Sequence, residues 1–97
     1  MATIRIPTLL RAHTNGQSEI AARGDTVLHL LRDAATQYRG LNTQLFDEHG
    51  RVRGFVNLFV NDEDIRMHDG LETRIRETDV IEVLPAIAGG SGARATR

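Results

Sequence analysis

The most apolar strand pattern of the chain is Phe55-Val56-Asn57-Leu58-Phe59-Val60. Side chains alternate between the two faces of a β-strand, so one face of this segment carries only aliphatic side chains. The other face carries both phenylalanines and Asn57. We expect the aliphatic face to pack against a helix, and the polar run Asn61-Asp62-Glu63-Asp64 to turn the chain.

A β-hairpin is predicted near the start of the chain. Residues 3–9 alternate polar and apolar types up to Pro7, which places both isoleucines of this segment on the inward face. Pro7 has no amide donor and is therefore expected at an edge or a bulge. The residues Thr14-Asn15-Gly16-Gln17 predict a turn, and residues 18–21 predict the returning strand.

An amphipathic helix of about four turns is predicted next, because apolar residues recur at spacings of three and four over residues 27–38. Asp25 or Thr26 is expected to cap its first turn by accepting a hydrogen bond from a free amide. Gly40 is expected to end the helix in a left-handed conformation. Residues 41–46 are predicted to form a short second helix.

The order of elements predicts the fold class. After the apolar strand, Ile65-Arg66 is expected to be a short edge strand, and residues 80–84 form a final strand that ends at Pro85. A hairpin, a crossing helix and further strands indicate an α+β fold of the β-grasp, or ubiquitin-like, type, with a mixed four- to five-stranded sheet packed on one main helix. Residues 1–86 are the predicted β-grasp domain, and residues 87–97 are a flexible tail.

Composition limits the classes of function. The chain has 97 residues, of which 40% are hydrophobic and 26% charged, as in one globular domain. A net charge of −1, without a basic patch, argues against a nucleic-acid partner. The longest uncharged stretch, residues 83–93, ends in small residues and does not fit a membrane span. With no secretory leader between Arg5 and Arg11, a cytoplasmic location is expected.

Few residues are suited to catalysis. The chain has no cysteine, and all 12 basic residues are arginine, so neither a thiol nor a lysine amine is available as a nucleophile. The stretch Gly89-Gly90-Ser91-Gly92-Ala93 departs from the nucleophile-elbow pattern at its last position. The four histidines match no metal-ligand spacing. We therefore expect no enzyme activity, no cofactor and no bound metal.

The pair Gly89-Gly90 has a chemical rationale. Glycine lacks a Cβ atom, so a diglycine can lie extended in a slot too narrow for any side chain. Between Pro85 and Gly90 the chain reaches at most about 20 Å from the last strand. A carboxylate at the end of this arm can therefore enter the active site of another enzyme. The alternative is that Gly89-Gly90-Ser91-Gly92 is a flexible linker.

The order of elements, together with two stretches, resembles the small ubiquitin-like sulfur carriers of bacteria, the family that serves thiamine, molybdopterin and cysteine biosynthesis. The stretches are residues 55–64 and Leu84-Pro85-Ala86-Ile87-Ala88-Gly89-Gly90. The resemblance covers residues 2–90. Within the family, Ile6-Pro7-Thr8-Leu9-Leu10-Arg11 and the ending Pro-Ala-x-Ala-Gly-Gly are most similar to the carriers of cysteine biosynthesis.

This resemblance implies a thiocarboxylate and adenylation site at Gly90 and Gly89. An E1-like adenylyltransferase would activate the Gly90 carboxylate with ATP, and a sulfurtransferase would supply sulfur to the acyl-adenylate. The thiocarboxylate would then donate sulfur to an acceptor enzyme such as a cysteine synthase. Family members usually end at the diglycine, so residues 91–97 imply a processing metalloprotease that cuts between Gly90 and Ser91.

The sheet face turned away from the helix is predicted to dock partner enzymes. Exposed aromatic residues on a small domain are typical interface anchors. The alternative is that later segments cover the aromatic residues and make them part of the core. The alternative function is a ubiquitin-like protein modifier or a β-grasp binding module without sulfur transfer. The predicted docking residues are Phe59, Phe55, Leu84, Pro85 and Ile87.

Overall fold

The computed structural model describes residues 1–85. The predicted end of the domain at residue 86 and the predicted tail lie outside this range. The strands and α-helices are β1 Ala2–Arg5, β2 Glu19–Ala22, α1 Val27–Gln37, α2 Arg39–Leu45, β3 Val56–Val60, β4 Glu63–Asp64 and β5 Val80–Pro85. Short 3-10 helices span Thr8–Thr14, Ile65–Met67 and Gly70–Glu72.

The strands form one mixed five-stranded sheet in the order β2-β1-β5-β3-β4. β1 and β5 lie side by side and parallel, with Ile4 beside Ile81, and the other neighbours are antiparallel. Parallel neighbours need a long connection, and the chain from β2 through α1 to β3 provides it. The predicted hairpin and the predicted mixed sheet on one main helix are both confirmed.

The core lies between α1 and one face of the sheet. Leu30 and Leu31 of α1 are fully buried, as is Ile81 at the centre of the sheet. From β3, Leu58 and Val60 join them, which confirms that its aliphatic face meets the helix. Burial of each such side chain contributes about 1.5–3 kcal/mol, so the core holds α1 against the strands that contribute to it.

Thr26 caps α1, because its side chain accepts a hydrogen bond of 3.2 Å from the amide of His29. The predicted end of this helix at Gly40 was wrong. α1 ends at Gln37, and Tyr38 breaks the helical path in an extended conformation, with φ −125°. Gly40 lies inside α2 and does not have a positive φ, so it makes no left-handed cap. The predicted second helix is confirmed, although it begins earlier than expected.

A close contact explains the glycine at position 40. A Cβ atom there would lie 2.5 Å from Nδ1 and 3.2 Å from Cβ of His13. His13 belongs to the 3-10 helix Thr8–Thr14, which packs against α2. Without a side chain, Gly40 lets the imidazole ring of His13 lie directly on the backbone of α2.

The hairpin connection is longer than the sequence suggested. β1 ends at Arg5, and Pro7 is the N-cap residue of the 3-10 helix that begins at Thr8, so residues 7–9 do not continue the strand. The missing amide of proline suits the start of a helix, where amides have no partner within the helix. The predicted turn is confirmed at its centre, where Asn15 and Gly16 have φ of 56° and 82°.

The edge strand lies earlier in the chain than predicted. Ile65 and Arg66 lie in a 3-10 helix, and the edge strand β4 comprises Glu63–Asp64. Both residues of the preceding loop, Asn61 and Asp62, have positive φ, at 49° and 71°. Positive φ at both positions matches the tightest hairpin turns, so pairing resumes at once after the loop. Asp64 then caps the 3-10 helix and turns Ile65 into the core.

We predict that Gly40→Ala destabilises the protein. Overpacking against His13 costs about 1–3 kcal/mol, which exceeds the gain of about 1 kcal/mol from higher helix propensity. Urea unfolding would measure the change. In a His13→Ala background the loss should be smaller, because the ring is gone and only the 3.2 Å contact with Cβ of residue 13 remains. Gly54→Ala is the matched control, because a Cβ atom at Gly54 meets open space. Unchanged stability of Gly40→Ala in the presence of His13 would contradict this explanation.

Candidate functional site

β5 determines where the predicted reactive arm leaves the domain. This strand is paired with β1 on one side and with β3 on the other, up to the pair of Val56 with Pro85. Gly90 can lie at most about 20 Å beyond this point. Gly89, Gly90 and Ser91 fall outside the described range, so their predicted roles stay predictions. β1 pairs with β5 only as far as Glu82, so residues 83–85, from which the arm begins, are paired with β3 alone.

Three of the predicted docking residues lie on or beside the outward face of the sheet. Phe59 is half-buried and is not one of the core residues. Leu84 is 41% exposed and pairs with Asn57 on the same face. Phe55, just before β3, is 47% exposed. Within residues 1–85, the segments after the helix therefore do not bury these aromatic side chains as core.

Pro85 does not share this face. Alternation along β5 places it on the same side as the buried residues Ile81 and Val83, and it is half-buried opposite Val56. Its position fits a structural role at the end of the strand. Ile87, the remaining predicted docking residue, lies beyond the described part of the chain. The docking role of all these residues remains a prediction.

An ion pair borders the outward face of the sheet. It was not predicted from the sequence. The guanidinium of Arg66 donates hydrogen bonds to both carboxylate oxygens of Asp64, the shortest at 2.6 Å. The backbone amide of Arg66 adds another at 2.8 Å. These hydrogen bonds lower the pKa of Asp64 from 3.8 to about 2. Asp64 lies opposite Phe59 across the β3–β4 hairpin. The negative charge beside Phe59 at this edge is therefore already neutralised by Arg66.

A concave region of about 740 Å³ lies over the two α-helices. No spacing in the sequence signals it, because its lining comes from α1, α2 and the loop that follows them. It shares no residue with the predicted docking set. Its lining residues are Arg32, Ala35, Thr36, Arg39, Asn42, Phe46 and Gly50.

The described histidines do not form a metal site. His29 and His68 each lie 2.8 Å from one carboxylate, those of Asp25 and Glu63. Nowhere in residues 1–85 do three or more histidine or carboxylate groups come together as metal ligands would. The helices of the same range are too short or too polar to cross a membrane.

Solved structures place this architecture among the ubiquitin-like β-grasp proteins. One match is a chain in the crystal structure of the BexX/CysO complex of Amycolatopsis orientalis. It superposes with a TM-score of 0.82 at 40% sequence identity, over 93% of this chain and 100% of that one. Another is the crystal structure of CysO from Mycobacterium tuberculosis, with a TM-score of 0.79 at 42% identity, over 90% of this chain and all of the other. The predicted β-grasp fold is confirmed.

Sequence comparison then defines the family. The ThiS family model matches residues 4–90. The sulfur carrier protein CysO of Mycobacterium tuberculosis is 44% identical over 90 residues, which cover 91% of this chain and 97% of the relative. Small archaeal modifier protein 3 of Haloferax volcanii is 35% identical over 77% of this chain and 84% of its own. The chain belongs to the ThiS family. Its similarity to CysO supports a sulfur-carrier role.

The Asp64–Arg66 pair predicts a pH-dependent stability. Since the pKa of Asp64 is lowered to about 2, its contribution is fully present above its ordinary value of 3.8 and disappears as the pH falls through about 2. We therefore expect Asp64→Asn to lower the free energy of unfolding near neutral pH, and the difference from the parent chain to vanish toward pH 2. Urea titrations across this range would measure the effect.

Arg66→Gln tests whether the same ion pair is responsible. It should cause a similar loss near neutral pH, and the double variant should lose little more than either single variant. Additive losses in the double variant would mean that the two side chains stabilise the protein separately.

Proposed function

We propose that Gly90 carries the sulfur of this protein as a thiocarboxylate. The observation that supports this most directly is the exit of the chain from β5. The strand ends at Pro85, where it is paired with β3, and the diglycine follows within the reach of an extended arm. The family match also ends at Gly90. The domain then acts as a rigid handle, while the arm reaches the active site of a partner.

The chemistry needs no catalytic group from the carrier. A carboxylate oxygen of Gly90 attacks the α-phosphorus of ATP in an E1-like adenylyltransferase, and pyrophosphate leaves. Hydrosulfide delivered by a sulfurtransferase then attacks the acyl carbon of the adenylate. AMP leaves and a proton is released, which gives the thiocarboxylate. An acceptor enzyme such as a cysteine synthase takes the sulfur for cysteine or a related metabolite.

Residues 91–97 make the chain a precursor in this proposal. In the full-length chain the Gly90 carbonyl belongs to an amide with Ser91, so it has no free oxyanion to attack ATP. A processing metalloprotease must first hydrolyse this bond. The match of the family model to residues 4–90 supports a working terminus at Gly90.

Partner enzymes dock on the outward sheet face, through Phe59, Phe55 and Leu84 together with Ile87 of the arm. The described members of this set are exposed or half-buried beside the point where the arm leaves the sheet. The related CysO of Amycolatopsis orientalis has been crystallised in complex with BexX. We infer that this chain is likewise held by its partners through a surface adjoining the arm.

A protein modifier is the second candidate, since the chain is 35% identical to an archaeal modifier protein. Intact-mass measurement of the protein from its native cell separates the two. A carrier ending at Gly90 gains the mass difference between sulfur and oxygen, whereas a modifier appears in conjugates with other proteins.

We predict that truncation after Gly90 yields a chain that is adenylated and thiocarboxylated directly. The full-length chain should stay unreactive until a protease is added. The test incubates both with a cognate adenylyltransferase, ATP and a sulfide source and follows the products by mass spectrometry.

In the truncated chain, Gly90→Ala should fold normally and react poorly, because its methyl group meets the walls of the slot. Gly54→Ala is the matched control. Reaction of the unprocessed chain at the same rate would refute the precursor role.

Phe59→Ala is expected to weaken binding of the adenylyltransferase by about 2 kcal/mol, with little loss of fold stability. Calorimetric titration would give the affinity, and thermal unfolding the stability. Leu9→Ala serves as control, because Leu9 is 68% exposed and is not one of the residues that line the hollow beside Glu82 and Leu84. A large fall in melting temperature with unchanged affinity would show that Phe59 acts as core.

A further inference from the structure

A row of side chains crosses the outward face of the sheet, with one residue from each strand. The strand registers place Asp64 beside Phe59, Phe59 beside Glu82, Glu82 beside Arg5 and Arg5 beside Glu19. Directly opposite residues of paired strands have Cβ atoms about 4.5–5.5 Å apart. The row is therefore a continuous strip in which an aromatic ring lies between two carboxylates.

The charges at both ends of this row are paired. At one end, Asp64 is bound by Arg66 through three side-chain hydrogen bonds. At the other end, Nε of Arg5 lies 3.7 Å from a carboxylate oxygen of Glu19. These pairs satisfy the two outer carboxylates within the domain itself.

Glu82 is the exception. It lies in the middle of the row and is half-buried between Phe59 and Arg5. Within residues 1–85 its carboxylate has neither an ion pair nor a hydrogen bond, since Arg5 is engaged with Glu19 instead. The strip therefore carries one unmatched negative charge at its centre.

Space for a partner group adjoins this carboxylate. A shallow hollow of about 470 Å³ runs beside Glu82 and Leu84, with Pro7 in its wall. Arg5 and Arg11 also border it, and Nε of Arg11 donates a 3.0 Å hydrogen bond to the carbonyl oxygen of Ile6, which orients the guanidinium without neutralising it. A side chain of a docked protein can therefore approach Glu82 from solvent.

We propose that Phe59 and Glu82 together form a binding site for one arginine side chain of the partner enzyme. The guanidinium group lies on the ring of Phe59 and donates to the carboxylate of Glu82. This inference rests on the proposed function, because it specifies how the adenylyltransferase recognises the docking face. Phe59 supplies the apolar contact and Glu82 supplies the charge that selects the partner.

The two neighbouring groups favour arginine over lysine. A guanidinium is planar, so it stacks on an aromatic ring and at the same time offers paired N–H donors to a carboxylate. An ammonium group is a compact, strongly hydrated charge, which makes these two contacts together less well. A site with a ring on one strand and a carboxylate on the next matches the shape of the guanidinium.

The first test uses a probe that needs no partner enzyme. Nα-acetyl-arginine amide at millimolar concentrations is titrated into the full-length chain, and its binding is followed by NMR. Chemical-shift changes are expected at Phe59 and Glu82. These changes should be larger than those caused by the lysine analogue. They should be lost in Glu82→Gln and also in Phe59→Leu. The Phe59→Leu variant keeps an apolar side chain without the aromatic ring. Glu72→Gln is the control, since Glu72 is exposed in the 3-10 helix against α1. Shifts that are absent, or unchanged in Glu82→Gln, would overturn the proposal.

The second test measures the affinity of the chain for its adenylyltransferase. Glu82→Gln should weaken binding about tenfold or more, Glu82→Arg should weaken it further, and Glu72→Gln should not change it. Equal affinity of the parent chain and Glu82→Gln would overturn the arginine site and leave the sulfur-carrier mechanism intact. If the parent chain binds no adenylyltransferase at all, the proposed function fails, and the probe titration alone decides the arginine site.

Discussion

The hydrogen bonding of β5 to β1 and β3 is the constraint on which the rest of the structure depends. β5 is the last element of the described chain and one of its innermost strands, so it joins the amino-terminal hairpin to the β3–β4 hairpin. Its inward residues Ile81 and Val83 are almost fully buried under α1. Its outward residues Glu82 and Leu84 lie on the candidate docking face. The same strand therefore holds the core, presents the partner surface and fixes the origin of the arm.

The two faces of the sheet divide stability from recognition. The inward face buries aliphatic side chains, each contributing about 1.5–3 kcal/mol, whereas an exposed ion pair contributes about 0.2–1 kcal/mol. The charged row on the outward face thus contributes less to the fold than the core does. In the proposed function the domain supplies only a reactive terminus, so it has to stay folded while partner enzymes use the outward face and the arm.

Local patterns in the sequence were sufficient for the order of the elements and for the inward faces. Alternation along residues 55–60 correctly placed Leu58 and Val60 in the core, and the helical spacing after Thr26 correctly located α1. One error fell where a distant contact overrides local preference. Gly40 is a glycine because of the side chain of His13, many residues away, and no cap is formed there. The error at Ile65 has a local cause instead, because the adjacent Asp64 caps a 3-10 helix and directs Ile65 into the core.

The sequence by itself determined the absence of a cysteine or lysine nucleophile, the diglycine after an apolar strand, and the two-faced pattern of that strand. These features are local, because residue type and period-two spacing are legible without knowing which strands are neighbours. Only the tertiary structure decided that Phe59, Glu82 and Arg5 form one row, that Pro85 faces away from Leu84, and that Glu82 has no ion-pair partner within residues 1–85. Strand order and register set these relations, and both arise from packing among segments far apart in the chain.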